Sequence, residues 1–343
     1  MAERSMVTRT MDRETEMNDL QDALTRLRAG REAVANVVVG QAEVIEQVLT
    51  ALLAGGHVLI ESSPGLGKTL LVRTLGTVFG MKFHRIQFTP DLMPADITGT
   101  FTLVPGEAGQ GMTTKFQPGP VFAQMVLADE INRATPKTQS SLLEAMQEGT
   151  VTVMGVEYDL PRPFFVLATQ NPIEMEGTYL LPEAQIDRFF FKVTLPFPTE
   201  GVLESILDAT TGATATAVAA TLTPTDVLAL QTWTRDVPIS SELRTRVARF
   251  VRATQPDLPE ATDRVRRYVR YGVSPRGAQA LVLAAKARAL MEGRFNVADA
   301  DLRAVALPAL RHRLQLNFEG EAAGVSVDDL ILEVLGAVAD RSR

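Results

Sequence analysis

Two hydrophobic patterns divide the chain. Up to about residue 198, short and very apolar runs alternate with amphipathic stretches; beyond it the short runs fade and apolar residues recur at helical spacing. A charged stretch over 1–30 comes first. It reads as a polar, partly helical leader with frayed ends, in which Met17, Leu20, Ala23 and Leu24 share one face. Residues 44–53 predict a helix ended by Gly55-Gly56, followed by a strand at 57–61, a helix to about 79 and a strand at 83–87. Further strands are predicted at 125–129, 164–169 and 189–193. Thr135-Pro136 opens a helix with Pro at its first position, Leu142, Leu143 and Met146 give it a buried face, and Gly149 closes it. Strands alternating with helices imply a parallel sheet covered on both faces. The expected fold is therefore α/β over 31–198, followed by a small all-helical unit over 199–343.

Two segments break this alternation. Residues 89–120 are rich in Gly, Pro and Thr and too long for a plain connection, which points to a functional insertion at about 97–122. Val151, Val153, Val156 and Tyr158 around Met154-Gly155 predict a β-hairpin at 150–160. The Ala/Thr-rich stretch at 210–220 reads as a surface loop.

Composition narrows the chemistry. With 343 residues there is room for two domains with real cores, and a formal charge of −7 disfavours a broad nucleic-acid footprint. Cysteine is absent and the three histidines, His57, His84 and His312, are far apart, which argues against disulfides and zinc. His57 and His84 read as core or edge positions. No apolar run approaches the roughly 20 residues of a membrane span, and residues 1–31 have no signal-peptide core, so a cytoplasmic protein without membrane insertion is expected.

The densest chemical signal is Ser62-Ser63-Pro64-Gly65-Leu66-Gly67-Lys68-Thr69, between a predicted strand and the helix that continues through Leu70. Such a loop turns backbone N–H groups inward around phosphate oxygens at a helix N-terminus. Lys68 is placed to reach the β- and γ-phosphates, and the Thr69 hydroxyl to help hold Mg²⁺. The usual pattern begins with Gly where this chain has Ser62, so a slightly different first turn is expected. The bland alternative is a Gly-rich turn carrying an ordinary surface lysine. About sixty residues later the apolar run 125–128 ends in Asp129-Glu130. Asp129 suits Mg²⁺, and Glu130 suits a water poised to attack the γ-phosphate; otherwise they are solvated acids at a strand end. Gln87 and Thr89, at the end of the second predicted strand, are candidates to restrain Glu130 until a partner binds, with polar residues at a strand end as the default reading. Asn171 tips the 164–169 strand and could orient the attacking water, although Asn-Pro is also a common turn.

Longer blocks carry a family resemblance. The stretch from Leu127 to Ala134, Gln139 with Leu142-Leu143-Glu144-Ala145-Met146, and the stretch from Gly177 to Phe189 resemble the signature blocks of MoxR-family AAA+ ATPases. Val38-Val39-Gly40-Gln41 resembles that family's approach to the nucleotide, and Ser274-Pro275-Arg276 and His312-Arg313-Leu314 its lid motifs. The resemblance runs from about residue 37 to the C-terminus.

It implies an AAA+ P-loop αβα sandwich with a five-stranded parallel sheet and a helical lid, hydrolysing ATP with Mg²⁺ as cofactor. The segments 97–122 and 150–160 match the insertions of the helix-2-insert group. Carried over by position, Gly40, Gln41, Ser63, Pro64, Gly65, Leu66, Gly67, Lys68, Thr69, Leu70 and Arg276 contact nucleotide, and Thr69 and Asp129 hold the metal. Lys68, Glu130, Asn171, Arg188 and Arg276 act in catalysis: Asn171 as first sensor, Arg276 as second sensor, Arg188 as arginine finger toward a neighbouring subunit. An Arg188 salt bridge to Asp187 or Glu183, and an Arg276 merely tolerated in a first helical turn, are the simpler readings.

The resemblance also implies a homo-oligomeric, hexameric ring with a chaperone-like role on client proteins, in some relatives together with von Willebrand factor A domain proteins. A nucleic-acid translocase, a metal-chelatase motor subunit and a slow nucleotide-switched scaffold are the alternatives.

Overall fold

The computed structural model describes residues 2–105, 112–171, 178–211 and 218–340, without the side chains of 2–16 and 340. Residues 106–111 of the first insertion, Pro172, Gly177 and 212–217 of the Ala/Thr-rich stretch lie outside the described residues.

The segment expected as a frayed leader belongs to one helix, α1 (Ala2–Val37). Its apolar stripe continues at helical spacing through Leu20, Ala23, Leu24, Leu27 and Val34, all buried, while Met17 is half exposed. Gly30 does not end the helix. A Cβ there would sit 2.7 Å from Thr221 Oγ1, so the glycine permits a close approach of the chain at 221–222.

The α/β layers follow. In chain order they are α2 (Ala42–Leu53), β1 (Val58–Glu61), α3 (Lys68–Val78), β2 (Phe83–Gln87), α4 (Pro94–Thr98), β3 (Gly99–Pro105), β4 (Met112–Pro118) and β5 (Met125–Asp129). After a short 3-10 turn at Ile131–Arg133 come α5 (Pro136–Glu148), β6 (Thr150–Val153), β7 (Val156–Asp159), β8 (Phe165–Gln170), α6 (Glu183–Ile186) and β9 (Phe191–Thr194). Five strands form one sheet in the order β2-β5-β8-β1-β9, with every pairing parallel. The strands read as almost continuously apolar because both faces are covered. Val58, Ile60, Leu127 and Leu167 face one core with α1, α2 and α3; Leu59, Val126, Ala128, Val166 and Ala168 face the other, with α5.

Both expected insertions form antiparallel hairpins, β3–β4 and β6–β7. Met154 and Gly155 both take a positive φ, which closes the second hairpin in two residues. The hairpins touch one another: the Phe116 and Tyr158 rings stack with centroids 4.1 Å apart, and Phe101 and Phe122 flank Phe116.

From residue 200 helices dominate: α7 (Glu200–Thr211), α8 (Pro224–Asp236), α9 (Ser241–Ala253) and α10 (Asp263–Tyr268), then α11 (Pro275–Met291), α12 (Asp299–Leu310), α13 (Phe318–Ala322) and α14 (Val327–Asp340). One feature departs from an all-helical unit. A short antiparallel pair, β10 (Val269–Tyr271) with β11 (Gln315–Leu316), joins α10 to the chain after α12. Its three- and two-residue strands are too short to leave an alternating signature in the sequence. No helix among the described residues is long and apolar enough to cross a membrane.

Candidate active site

In a parallel sheet the loops beyond the carboxyl ends of the strands converge on one edge. Here β1, β5 and β8 are adjacent, with Glu61 beside Gln170 and Ala128 beside Ala168. The phosphate loop, Asp129-Glu130 and Asn171 therefore leave the sheet side by side. They are far apart in sequence, and the sheet order alone brings them together.

The loop is built as its glycines require. Gly65 and Gly67 have φ of 81° and 78°, and Gly67 is the left-handed residue from which α3 starts. Lys68 and Thr69 thus open the helix, with the backbone N–H groups of its first turn directed at the loop interior. Ser62 needs no such freedom. Among the described residues only Glu130 and Met154 take a positive φ without being glycine, so the serine fits in an ordinary conformation, 3% exposed. Gln41 braces the loop from outside, donating from Nε2 to Leu66 O at 2.9 Å. Gly40, with φ 78°, packs against α7 so closely that a Cβ would lie 2.1 Å from Val202 Cγ1.

Lys68 Nζ donates to Ser62 Oγ at 2.8 Å and to Ser63 O at 3.0 Å. Burial pulls its ammonium below the ordinary lysine value, while the carboxylates of Asp129 and Glu130 push the other way. The three charges therefore sit within one field.

Asp129 is nearly buried. Its Oδ1 accepts from Thr169 Oγ1 at 2.6 Å, and its Oδ2 from Arg85 Nη2 at 2.6 Å and Nε at 3.1 Å. Glu130 has φ 57°, a left-handed conformation that is strained for a residue with a Cβ. Its N–H is fixed by Thr169 Oγ1 at 2.9 Å. The Glu130 carboxylate accepts from Gln87 Nε2 at 2.7 Å and pairs with Arg133 Nε at 3.1 Å. Of the two residues expected near Glu130, Gln87 makes the contact, whereas Thr89 bonds Asp91 and so holds that carboxyl below its usual value. Arg85 was not anticipated. It joins Asp129 to Gln87, donating to Gln87 Oε1 at 2.7 Å, and only the pairing of β2 beside β5 brings it there.

A hydroxyl and a carboxylate, Thr69 and Asp129, are hard oxygen donors that suit Mg²⁺. Among the described residues no group of three or more His, Cys, Asp or Glu could hold a metal ion by itself. That donor set fits an ion whose remaining ligands are phosphate oxygens and water. Asn171 lies buried just past the end of β8, next to the loop, since Ser62 N donates to the neighbouring Gln170 O at 3.2 Å.

The two arginines make their contacts with α5 and the chain around Asp187. Arg188 donates from Nη1 to Leu143 O in α5 at 3.1 Å. It lines a cleft of about 320 Å³ with Ser140, Glu144, Gln147, Glu148 and Gln185, to which the phosphate loop contributes nothing. Neither Asp187 nor Glu183 is its partner: Asp187 Oδ1 accepts instead from Arg313 Nε at 2.6 Å. Arg276 stands in the first turn of α11, which Ser274 caps, with Nη1 3.9 Å from Asp187 Oδ2.

The chain after α12 clamps the lid to this same segment. Arg311 Nη1 donates to Thr194 Oγ1 at 2.8 Å and His312 Nε2 to Phe189 O at 3.0 Å. Arg313, almost fully buried, spends its remaining donors on the carbonyls of Asp187, Phe189, Phe190 and Ala309. Burial holds His312 well below its usual value, with Arg313 adding to the effect, so the ring is neutral and donates through Nε2.

Comparison with known proteins agrees with this geometry. Residues 57–191 match the ATPase family associated with various cellular activities (AAA), and residues 261–334 match the AAA lid domain. Over 306 residues the chain is 42% identical to Chaperone MoxR1 of Mycobacterium tuberculosis, covering 89% of this chain and 80% of that protein. It is also 42% identical to the uncharacterized protein YeaC of Bacillus subtilis, over 90% of this chain and 92% of that one. Protein MoxR of Paracoccus denitrificans is 32% identical, over 88% and 91% of the two chains. A solved structure of a candidate ATPase from Cytophaga hutchinsonii superimposes with a TM-score of 0.87 at 38% identity, covering 95% of this chain and 98% of that one. On this sequence similarity and this arrangement of loop, strand-end acids and lid, the chain belongs to the MoxR-type AAA+ ATPases.

Proposed function

We propose that this ATPase works as a ring-forming motor that remodels or activates a partner protein complex. The observation that carries the reading is the separation of Arg188 from the phosphate loop. Lys68, Asp129 and Glu130 share one sheet edge, while Arg188 stands in a different cleft, against α5. An arginine finger so placed serves the nucleotide of the next subunit. Repeated head to tail, that contact closes a ring, for which six subunits is our proposal.

Within a subunit, the backbone of Ser63, Pro64, Gly65, Leu66, Gly67, Lys68, Thr69 and Leu70 would cradle the phosphates, with Gly40 and Gln41 beside them. Thr69 and Asp129 would hold Mg²⁺, which supplies charge neutralisation at the β- and γ-phosphate oxygens. Glu130 takes the proton of the attacking water, and Asn171 orients that water. Lys68, Arg276 and the neighbouring subunit's Arg188 stabilise the charge that develops on the transferred phosphoryl group. The work is done on a client protein in the cytoplasm, with a von Willebrand factor A domain protein as a candidate adaptor. The stacked hairpins, which leave Leu103, Met112, Met154 and Val156 exposed, are the surface we assign to client contact.

Steady-state ATP hydrolysis measured against protein concentration, with mass determined under the same conditions, tests this reading. Specific activity should rise with assembly and be lost in Glu130→Gln, which should still bind ATP. Turnover independent of assembly would remove the ring from the mechanism. Normal turnover in Glu130→Gln would remove Glu130 as the base.

A further inference from the structure

Ser62 is the point at which this phosphate loop departs from its usual pattern, and the structure gives its side chain a partner. The hydroxyl is buried, donates to Ser63 O at 3.2 Å, and accepts from Lys68 Nζ at 2.8 Å. Lys68 Nζ also reaches Ser63 O at 3.0 Å, so the three atoms close a small hydrogen-bonded ring. A glycine at position 62 would leave the carbonyl contacts available and remove only the hydroxyl. The backbone of Ser62 makes no demand for glycine either. What the serine adds is therefore one charge-assisted hydrogen bond aimed at the lysine.

We propose that Ser62 is a positioning residue that competes with the phosphates of ATP for Lys68, so that this ATPase binds nucleotide more weakly than a loop with glycine at that place. The inference rests on the reading of Lys68 as the phosphate-binding lysine. To contact the β- and γ-phosphates, Lys68 has to give up Ser62 Oγ. The hydroxyl then keeps only its bond to Ser63 O, in a pocket nearly closed to water. The cost falls on binding and leaves the chemical step alone, because the exchange is complete once nucleotide is seated.

The test is the affinity of full-length wild type, Ser62→Gly and Ser62→Ala for the non-hydrolysable ATP analogue AMP-PNP with Mg²⁺, by calorimetry, alongside ATPase kinetics. The same substitutions are also made in a Lys68→Ala background, and thermal melts show which variants fold. Both single variants should bind about three- to tenfold more tightly, tenfold being about 1.4 kcal/mol. KM should fall in parallel and kcat should stay within about twofold. In the Lys68→Ala background the Ser62 substitutions should change nothing. Should Ser62→Ala fail to fold, Ser62→Gly carries the comparison alone.

Unchanged or weaker binding by the single variants would overturn the competition. So would equal tightening without Lys68, because the effect would then run through the backbone. If wild type binds the analogue and Lys68→Ala binds it equally well, the lysine assignment itself fails. If wild type binds no nucleotide, the ATPase reading and the competition fall together.

Discussion

Asn in place of Asp187 would leave Arg313 with its carbonyl partners and no counter-charge. The structure sets the size of the effect. The Arg313 side chain is 2% exposed and that of Asp187 is 25% exposed, with 2.6 Å between Nε and Oδ1. Burial, with the Arg276 charge adding to it, holds the Arg313 guanidinium below its ordinary value although Asp187 pushes the other way. The pair is thus held against a desolvation cost, and losing the anion alone exposes that cost in full. Breaking a fully buried pair costs about 3–5 kcal/mol; solvent at Asp187 screens part of it, leaving about 2–3 kcal/mol. For a chain of 343 residues that is a fall in Tm of roughly 3–4 °C. Scanning calorimetry of wild type, Asp187→Asn, Arg313→Met and the double variant measures it. In the Arg313→Met background, Asp187→Asn should cost less than about 1 kcal/mol, since no buried cation remains to be abandoned. A single Asp187→Asn variant melting within about 1 °C of wild type would refute the argument, as would an equal cost in both backgrounds.

Two further predictions concern catalysis and pH. Arg188→Ala should lower turnover by at least about 10²-fold and be rescued in mixed assemblies that supply an intact neighbour; normal hydrolysis by the variant alone would end the finger assignment. His57 is buried, donates from Nε2 to Met146 O and accepts from Val166 N–H at Nδ1, and burial lowers it from 6.5 to about 4. Because the folded value lies below the unfolded one, its contribution is present above about pH 6.5 and is lost as pH falls toward 4. The loss is about 2 kcal/mol at pH 5. The stability difference between wild type and His57→Gln, a non-titrating residue able to donate and accept, should shrink by that amount between pH 7.5 and 5. Parallel pH profiles would show that His57 titrates normally in the fold.

Much of this protein is legible in its sequence because its signals are local. Gly65 and Gly67 mark left-handed backbone positions, and Lys68-Thr69 must then open a helix. The apolar runs ending in Asp129 and Gln170 have to be buried parallel strands with polar tips at one sheet edge. Met154-Gly155 fixes a two-residue hairpin turn. In each case a few neighbouring residues set the backbone, and the chemistry follows from where the side chains must point.

What the sequence left open depends on partners distant in the chain. The charged N-terminal stretch reads as a leader because its polar residues outnumber its apolar ones, yet Leu20, Leu24 and Leu27 are buried, a fact set by the helices they pack against. Arg85 carries no signal until β2 lies beside β5 and places its guanidinium on Asp129. Asp187 could equally have paired with the adjacent Arg188. The return of the chain after α12 gives it to Arg313 instead and leaves Arg188 on α5. Charge pairing depends on distance in space, and local sequence fixes such distances only within an element; between elements the tertiary fold decides.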